Sequence, residues 1–215
     1  ETHYWPLVDR LVDEFKDHPA MGIWQLLNEP AIYPAPASEK DLKGFTSFVD
    51  RTSKRIYEKD QTHPISIGII NTAHIMPPGR NLSQFAADFY KNRRYIHIAT
   101  SHSYQFEHEG NSDSAWEHEH NCAVDAKAAT QNGRAFIWTE FGASQAGNRV
   151  ASTQRFLSQH VIEGAASGAL QWGFMLPIKS NKDVGVGDKR FGFSKASFNK
   201  EFDELQTFFK KVSKR

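Results

Sequence analysis

The sequence predicts an α/β fold, with short apolar strands alternating with amphipathic helices around a parallel sheet. Two observations carry that prediction. The first is the order of elements, a helix followed by five strand–helix units. The second is the way two of the strands end. Trp24-Gln25-Leu26-Leu27-Asn28-Glu29-Pro30 and Phe136-Ile137-Trp138-Thr139-Glu140-Phe141-Gly142 are apolar runs that each deliver a glutamate and then break at Pro or Gly. Alternation alone fits an open doubly wound sheet as well as part of an eight-stranded barrel. A nucleotide-binding doubly wound sheet needs a Gly-rich turn after its first strand, and here that strand ends in Asn-Glu-Pro. Carboxylates at C-terminal strand ends are the layout of a barrel active site, so the expectation is a (β/α)8 barrel.

The elements follow in order. Leu7, Val8, Leu11, Val12 and Phe15 recur at three- and four-residue spacing, which predicts a helix over residues 4–17 that His18-Pro19 stops. Residues 21–27 are short, apolar and bounded by punctuation, as a buried strand is. Three prolines make 30–37 a loop. Ser38 with Asp41 forms a capping box for a helix to about Asp60, with a core face of Leu42, Phe45, Val49, Thr52 and Ile56. Strands are expected at 65–70, 95–101, 135–140 and 169–175. Helices are expected around Phe85 to Phe89, over 116–132 and 151–167, and from Phe198 to Val212. Loops 105–115 and 176–194, the latter with a short hairpin, connect them. The chain is read as a single domain, 1–215.

Its totals exclude several classes. The 26 basic and 25 acidic residues nearly cancel, so no basic stripe points to nucleic acid. No run approaches the length of a membrane span, so no membrane partner is expected. A lone cysteine, Cys122, excludes an intrachain disulfide. His118-Glu119-His120 with Cys122 offers zinc-type donors. On a helix, however, residues two apart do not share a face, and Asp183 with Asp188 lacks the calcium-loop spacing. Neither a metal nor an organic cofactor is therefore expected.

Two carboxylates are the minimum equipment for cleaving a glycosidic bond. Asn-Glu-Pro after an apolar strand, with Thr-Glu-Phe-Gly ending a later one, resembles the retaining glycoside hydrolases of clan A, most closely family 5, the cellulase and mannanase group. Further landmarks fall in the same order. Ser101-His102-Ser103-Tyr104 resembles the family's His-x-Tyr, and Trp172 matches its sugar-stacking Trp. The resemblance implies that Glu140 is the nucleophile and Glu29 the general acid/base. It also implies that Asn28 binds the sugar 2-hydroxyl, that His102 lines the cleft, and that the Tyr104 hydroxyl contacts the nucleophile. Trp172 would stack on the ring.

In that family Asn-Glu-Pro ends strand four of eight. Only one helix precedes it here, so the resemblance implies the C-terminal part of a TIM barrel, strands 4–8 with their helices. An upstream barrel segment, on the same or another chain, would supply strands one to three. Without it, the inner faces near Leu26 and Leu170 should lack neighbours. The implied function is a retaining endo-type β-glycosidase acting on a β-linked oligo- or polysaccharide, with secretion as the expected localisation. The alternative is a non-catalytic sugar-binding or assembly module derived from such an enzyme.

Overall fold

The computed structural model describes residues 3–32, 37–105, 112–143, 149–172 and 199–212. Its elements are α1 (Tyr4–Phe15), β1 (Trp24–Gln25), α2 (Glu39–Lys59), β2 (Ile65–Ser66), a 3-10 turn (Thr72–Ile75) and α3 (Leu82–Lys91). Then come β3 (Ile98–Gln105), α4 (Ser112–Gln131), β4 (Ala135–Ala143), α5 (Arg149–Leu157), a π turn (Ser158–Ile162), β5 (Gly168–Gln171) and α6 (Asn199–Val212). The strands form one parallel sheet in the order β1-β2-β3-β4-β5. Sequential neighbours joined by helical crossovers are the wiring of a (β/α)8 barrel. The chain divides into two compact units, residues 1–101 with 124–136, and residues 102–123 with 137–215.

In the first unit the predicted capping box is present. Ser38 Oγ accepts from the Asp41 backbone N–H, and the Asp41 carboxylate accepts from the Ser38 N–H. Two ion pairs at matching four-residue spacing, Asp9–Arg55 and Asp13–Lys59, align α1 along α2. Trp5 lies beneath Arg51 and Arg55 and donates Nε1–H to Thr52 Oγ1 at 3.0 Å. Val8 and Val12 are buried, whereas Leu7, Leu11 and Phe15, along the edge of the same apolar stripe, are 53, 40 and 39% exposed.

Several expectations change: β1 is confined to Trp24–Gln25, β3 runs over Ile98–Gln105 rather than 95–101, and α4 begins at Ser112, inside the expected 105–115 loop. Leu26 is buried, because α1 folds back and the Tyr4 hydroxyl donates to the Leu26 carbonyl. The large apolar side chains left open in this unit are those of α1 and Ile23, just before β1; in the second unit Leu170 is 58% exposed, as expected. β2 is shorter than residues 65–70 because Gly68 turns the backbone to φ +86°. The helix predicted over 151–167 ends as α-helix at Leu157, and the wider π turn that follows seats the His160 ring 5.1 Å from Trp138 and 4.7 Å from Phe156. The 176–194 hairpin and most of the 105–115 loop lie outside the described residues.

Two buried acids of the first unit tie connections to the core. Asp60 closes the α2–β2 turn. It accepts from Trp24 Nε1 at 2.7 Å and from the backbone N–H groups of Thr62 and His63, and it contacts His63 Nδ1 at 2.8 Å. Burial, the largest single influence, pushes its carboxyl up, but the hydrogen bonds together outweigh it and hold the group down at about 2. A depressed acid stabilises the fold fully above its unfolded value, and that contribution is lost as pH falls through the folded value. Asp60→Asn should therefore cost about 2 kcal/mol near neutral pH. Chemical denaturation across pH should show the gap to wild type closing as pH approaches the folded value.

Asp125, on α4, has the opposite sign. It accepts from the Thr72 N–H at 2.7 Å, the Thr72 hydroxyl at 2.5 Å and the Tyr90 hydroxyl at 3.4 Å. Complete burial raises its carboxyl to about 7, against the lowering effect of those bonds. Its contribution is present at acidic pH and erodes as pH rises through that value. Asp125→Asn keeps an acceptor and carries no charge. Thermal melts should show the variant gaining on wild type between mildly acidic and mildly alkaline pH.

Candidate active site

Four of the predicted site residues belong to the second unit, and the chemistry gathers at the C-terminal end of β4. An unbroken strand would place Glu140 on the same face as Trp138, two residues earlier. It does not, because β4 carries a bulge. Trp138 pairs with Ala169 and Phe141 with Gln171, so three steps on β4 match two on β5. The extra residue puts Trp138 and Phe141 on one side, where both rings pack on Phe156, at 4.9 Å edge-on and 5.0 Å stacked. Glu140 is thereby released to the other face, and re-aiming a side chain is what bulges beside active sites do.

There the Tyr104 hydroxyl donates to Glu140 Oε2. His102 Nδ1 lies 3.7 Å from the same oxygen, with the imidazole fully buried and the carboxylate 14% exposed. His102 and Tyr104 are two apart on β3 and so share a face. The spacing of the predicted His-x-Tyr thus aims both side chains at Glu140. Trp172 follows β5, its N–H donating to the Phe141 carbonyl at 2.8 Å. Its side chain is 43% exposed. A large indole left open to solvent is available as a stacking surface.

Asn28 and Glu29 belong to the first unit and end the run through β1. Beyond Gln25 the backbone keeps pairing with the β2 segment, Leu27 N–H to the Ile67 carbonyl at 3.0 Å and Glu29 N–H to the Gly68 carbonyl at 2.9 Å. Both side chains are exposed. Among the described residues Glu29 is the only non-glycine with positive φ, at +48°. Such strain clusters at functional sites, held by surrounding structure. The holder here is Gly68, whose N–H donates to Thr100 Oγ1 at 3.2 Å.

Two of the zinc-type donors have other neighbours. Cys122 Sγ is buried against the His102 carbonyl, and Glu119 faces Arg155 and His160. The His118 side chain and residues Asp183 and Asp188 lie outside the described set. Sequence reasoning missed Gly68 and the bulge. A glycine inside an apolar strand run, Ile67-Gly68-Ile69, was the available signal for the first.

No family model matches the chain, and no curated protein matches it. Solved structures do. The endo-1,4-beta-mannanase from Rhizomucor miehei superposes with a TM-score of 0.71 at 18% identity, over 98% of this chain and 60% of that one. A glycoside hydrolase family 5 mannosidase from the same fungus gives 0.58 at 14%, over 91% and 53%. A triply substituted endo-beta-1,4-glucanase from Xanthomonas axonopodis pv. citri gives 0.58 at 16%, over 89% and 59%. The fold is thus that of a partial (β/α)8 barrel. Among such barrels, it is similar to the mannanases and endoglucanases of family 5. The chain spans less than two thirds of the length of each of these structures.

Proposed function

We propose that this chain is the C-terminal, nucleophile-bearing part of a retaining endo-type β-glycosidase that cleaves a β-linked polysaccharide by double displacement. The observation that carries the reading is the Glu140 carboxylate, re-aimed by a bulge and held by the Tyr104 hydroxyl with His102 beside it. A carboxylate so oriented, accepting a hydrogen bond, is equipped for attack on an anomeric carbon. In the first step Glu140 forms a bond to that carbon while the leaving oxygen takes a proton from Glu29. In the second, Glu29 takes a proton from water, the water oxygen bonds the same carbon, and Glu140 departs. Asn28 orients the sugar 2-hydroxyl and Trp172 stacks beneath the ring. Retention requires the two carboxyl groups to stand about 5–5.5 Å apart, and about 9 Å would mean inversion.

An upstream segment completes the barrel in this reading. It is supported by the partial coverage of the matched structures and by the exposed apolar side chains Leu7, Leu11 and Phe15 of α1. The partial coverage also favours the second reading, a sugar-binding or assembly module without turnover. A secreted location and single-domain behaviour of 1–215 belong to the first reading. Among the described residues no helix is long and apolar enough to cross a membrane.

The test is covalent trapping. The protein is expressed both as residues 1–215 and with any coding sequence upstream of Glu1. Each form is incubated with activated 2-deoxy-2-fluoro-β-mannoside and β-glucoside, digested and mapped by mass spectrometry. A glycosyl adduct on Glu140 is expected. Binding of mannan or glucan fragments with neither adduct nor reducing-end release would support the module instead.

A further inference from the structure

We propose that Gly142 is a positioning residue, whose missing side chain sets the Tyr104 ring, and through it the hydroxyl, against Glu140. The inference rests on the glycosidase reading for its kinetic consequence, though not for its geometry. Gly142 is buried near the end of β4. Its φ is not among the positive ones, so the backbone conformation does not demand glycine there. The neighbours do. A methyl group at this position would stand 3.1 Å from Tyr104 Cδ1, 3.3 Å from Tyr104 Cε1 and 3.3 Å from the Trp172 carbonyl oxygen.

Those contacts are tighter than most that a Cβ makes, so a neighbour must give by a few tenths of an ångström. The Trp172 carbonyl is the less free of the two neighbours, since the Trp172 N–H is bonded to the Phe141 carbonyl and the carbonyl itself accepts from Gln171 Nε2 at 2.9 Å. The tyrosine ring is therefore the part that yields. Tyr104 is anchored in β3, so a push on its Cδ1–Cε1 edge swings the ring and carries the distal hydroxyl away from Glu140 Oε2. Gly142 also lies between the candidate nucleophile's partner and the candidate stacking residue. One missing methyl thus keeps both in register, and Gly142 need not touch the sugar to matter.

The experiment compares wild type, Gly142→Ala, Tyr104→Phe and the double variant. The first readout is the rate at which the activated 2-fluoroglycoside labels Glu140. Gly142→Ala should label roughly 10-fold more slowly, less than the roughly 100-fold that a misplacement of about 1 Å produces. The double variant should be no slower than the slower single, because both lose the same hydroxyl contact. Wild-type labelling by Gly142→Ala, or losses that multiply in the double, would overturn the proposal.

The second readout needs no activity. With ring-labelled tyrosine, assigned by its disappearance in Tyr104→Phe, the Tyr104 carbon resonance should move in Gly142→Ala. If wild type is never labelled but that resonance moves, the glycosidase reading fails and the positioning role stands. An unmoved resonance overturns the role. Should Gly142→Ala not fold, adding Tyr104→Ala removes the ring the methyl meets and should restore folding. Failure of that pair would place the conflict elsewhere and sink the proposal.

Discussion

On the proposed mechanism, Glu140→Gln should abolish turnover of every β-glycoside, with kcat falling by roughly 10,000-fold or more, as when the group that forms the covalent intermediate is removed. The amide is nearly isosteric, and it can still meet the Tyr104 hydroxyl through its carbonyl oxygen. The loss is therefore of chemistry rather than of fold, and melting temperature should hardly change. Glu29→Gln behaves differently. It should cripple hydrolysis of natural glycans, whose leaving oxygen needs a proton. It should spare much of the first step on aryl glycosides with acidic phenols, whose leaving groups depart unaided. Pre-steady-state bursts with dinitrophenyl glycosides separate the two variants. If both lose activity on both substrate types to the same degree, the division of roles between Glu29 and Glu140 is wrong.

The alternation of strands and helices was legible because each element carries its own local signal. The capping box at Ser38 and Asp41 is written in four consecutive residues and is present as read. His102 and Tyr104 were legible as a pair because a period of two is a property of the strand itself. The way Glu140 is aimed was not legible in the same manner. The string Phe136 to Gly142 reads as a regular strand, and regular alternation would send Glu140 to the helix side with Trp138. The bulge arises from pairing with β5, some thirty residues later, and from both Trp138 and Phe141 seeking the Phe156 ring. Such a tertiary preference overrides the local period. The burial of Leu26 was missed for a related reason. Nothing in residues 21–27 announces that α1 returns to lay Tyr4 against them.

Gly68→Ala is expected to be the most damaging single-methyl change in the first unit, and the reason lies at the other candidate carboxylate. An added Cβ would fall 1.9 Å from the Leu27 carbonyl oxygen and 2.8 Å from the Gln25 amide nitrogen, with φ already at +86°. The backbone oxygen cannot swing aside as a side chain could, because the bonds from Leu27 to Ile67 and from Glu29 to Gly68 hold this stretch against the β2 segment. Relief requires β1 and β2 to part, which breaks those bonds and frees Glu29 from its strained turn. A loss above about 4 kcal/mol is expected, in the range reserved for changes the structure cannot absorb. Two other glycines separate this cause from backbone strain alone. Gly79 and Gly133 also have positive φ, at +77° and +71°, yet a Cβ at either meets nothing within 4 Å. Alanine there should cost only about 1–2 kcal/mol. Equilibrium denaturation of the three variants gives the comparison directly. If Gly68→Ala is no worse than the other two, the close approach of β1 to β2 does not hold Glu29, and its positive φ must be explained by something else.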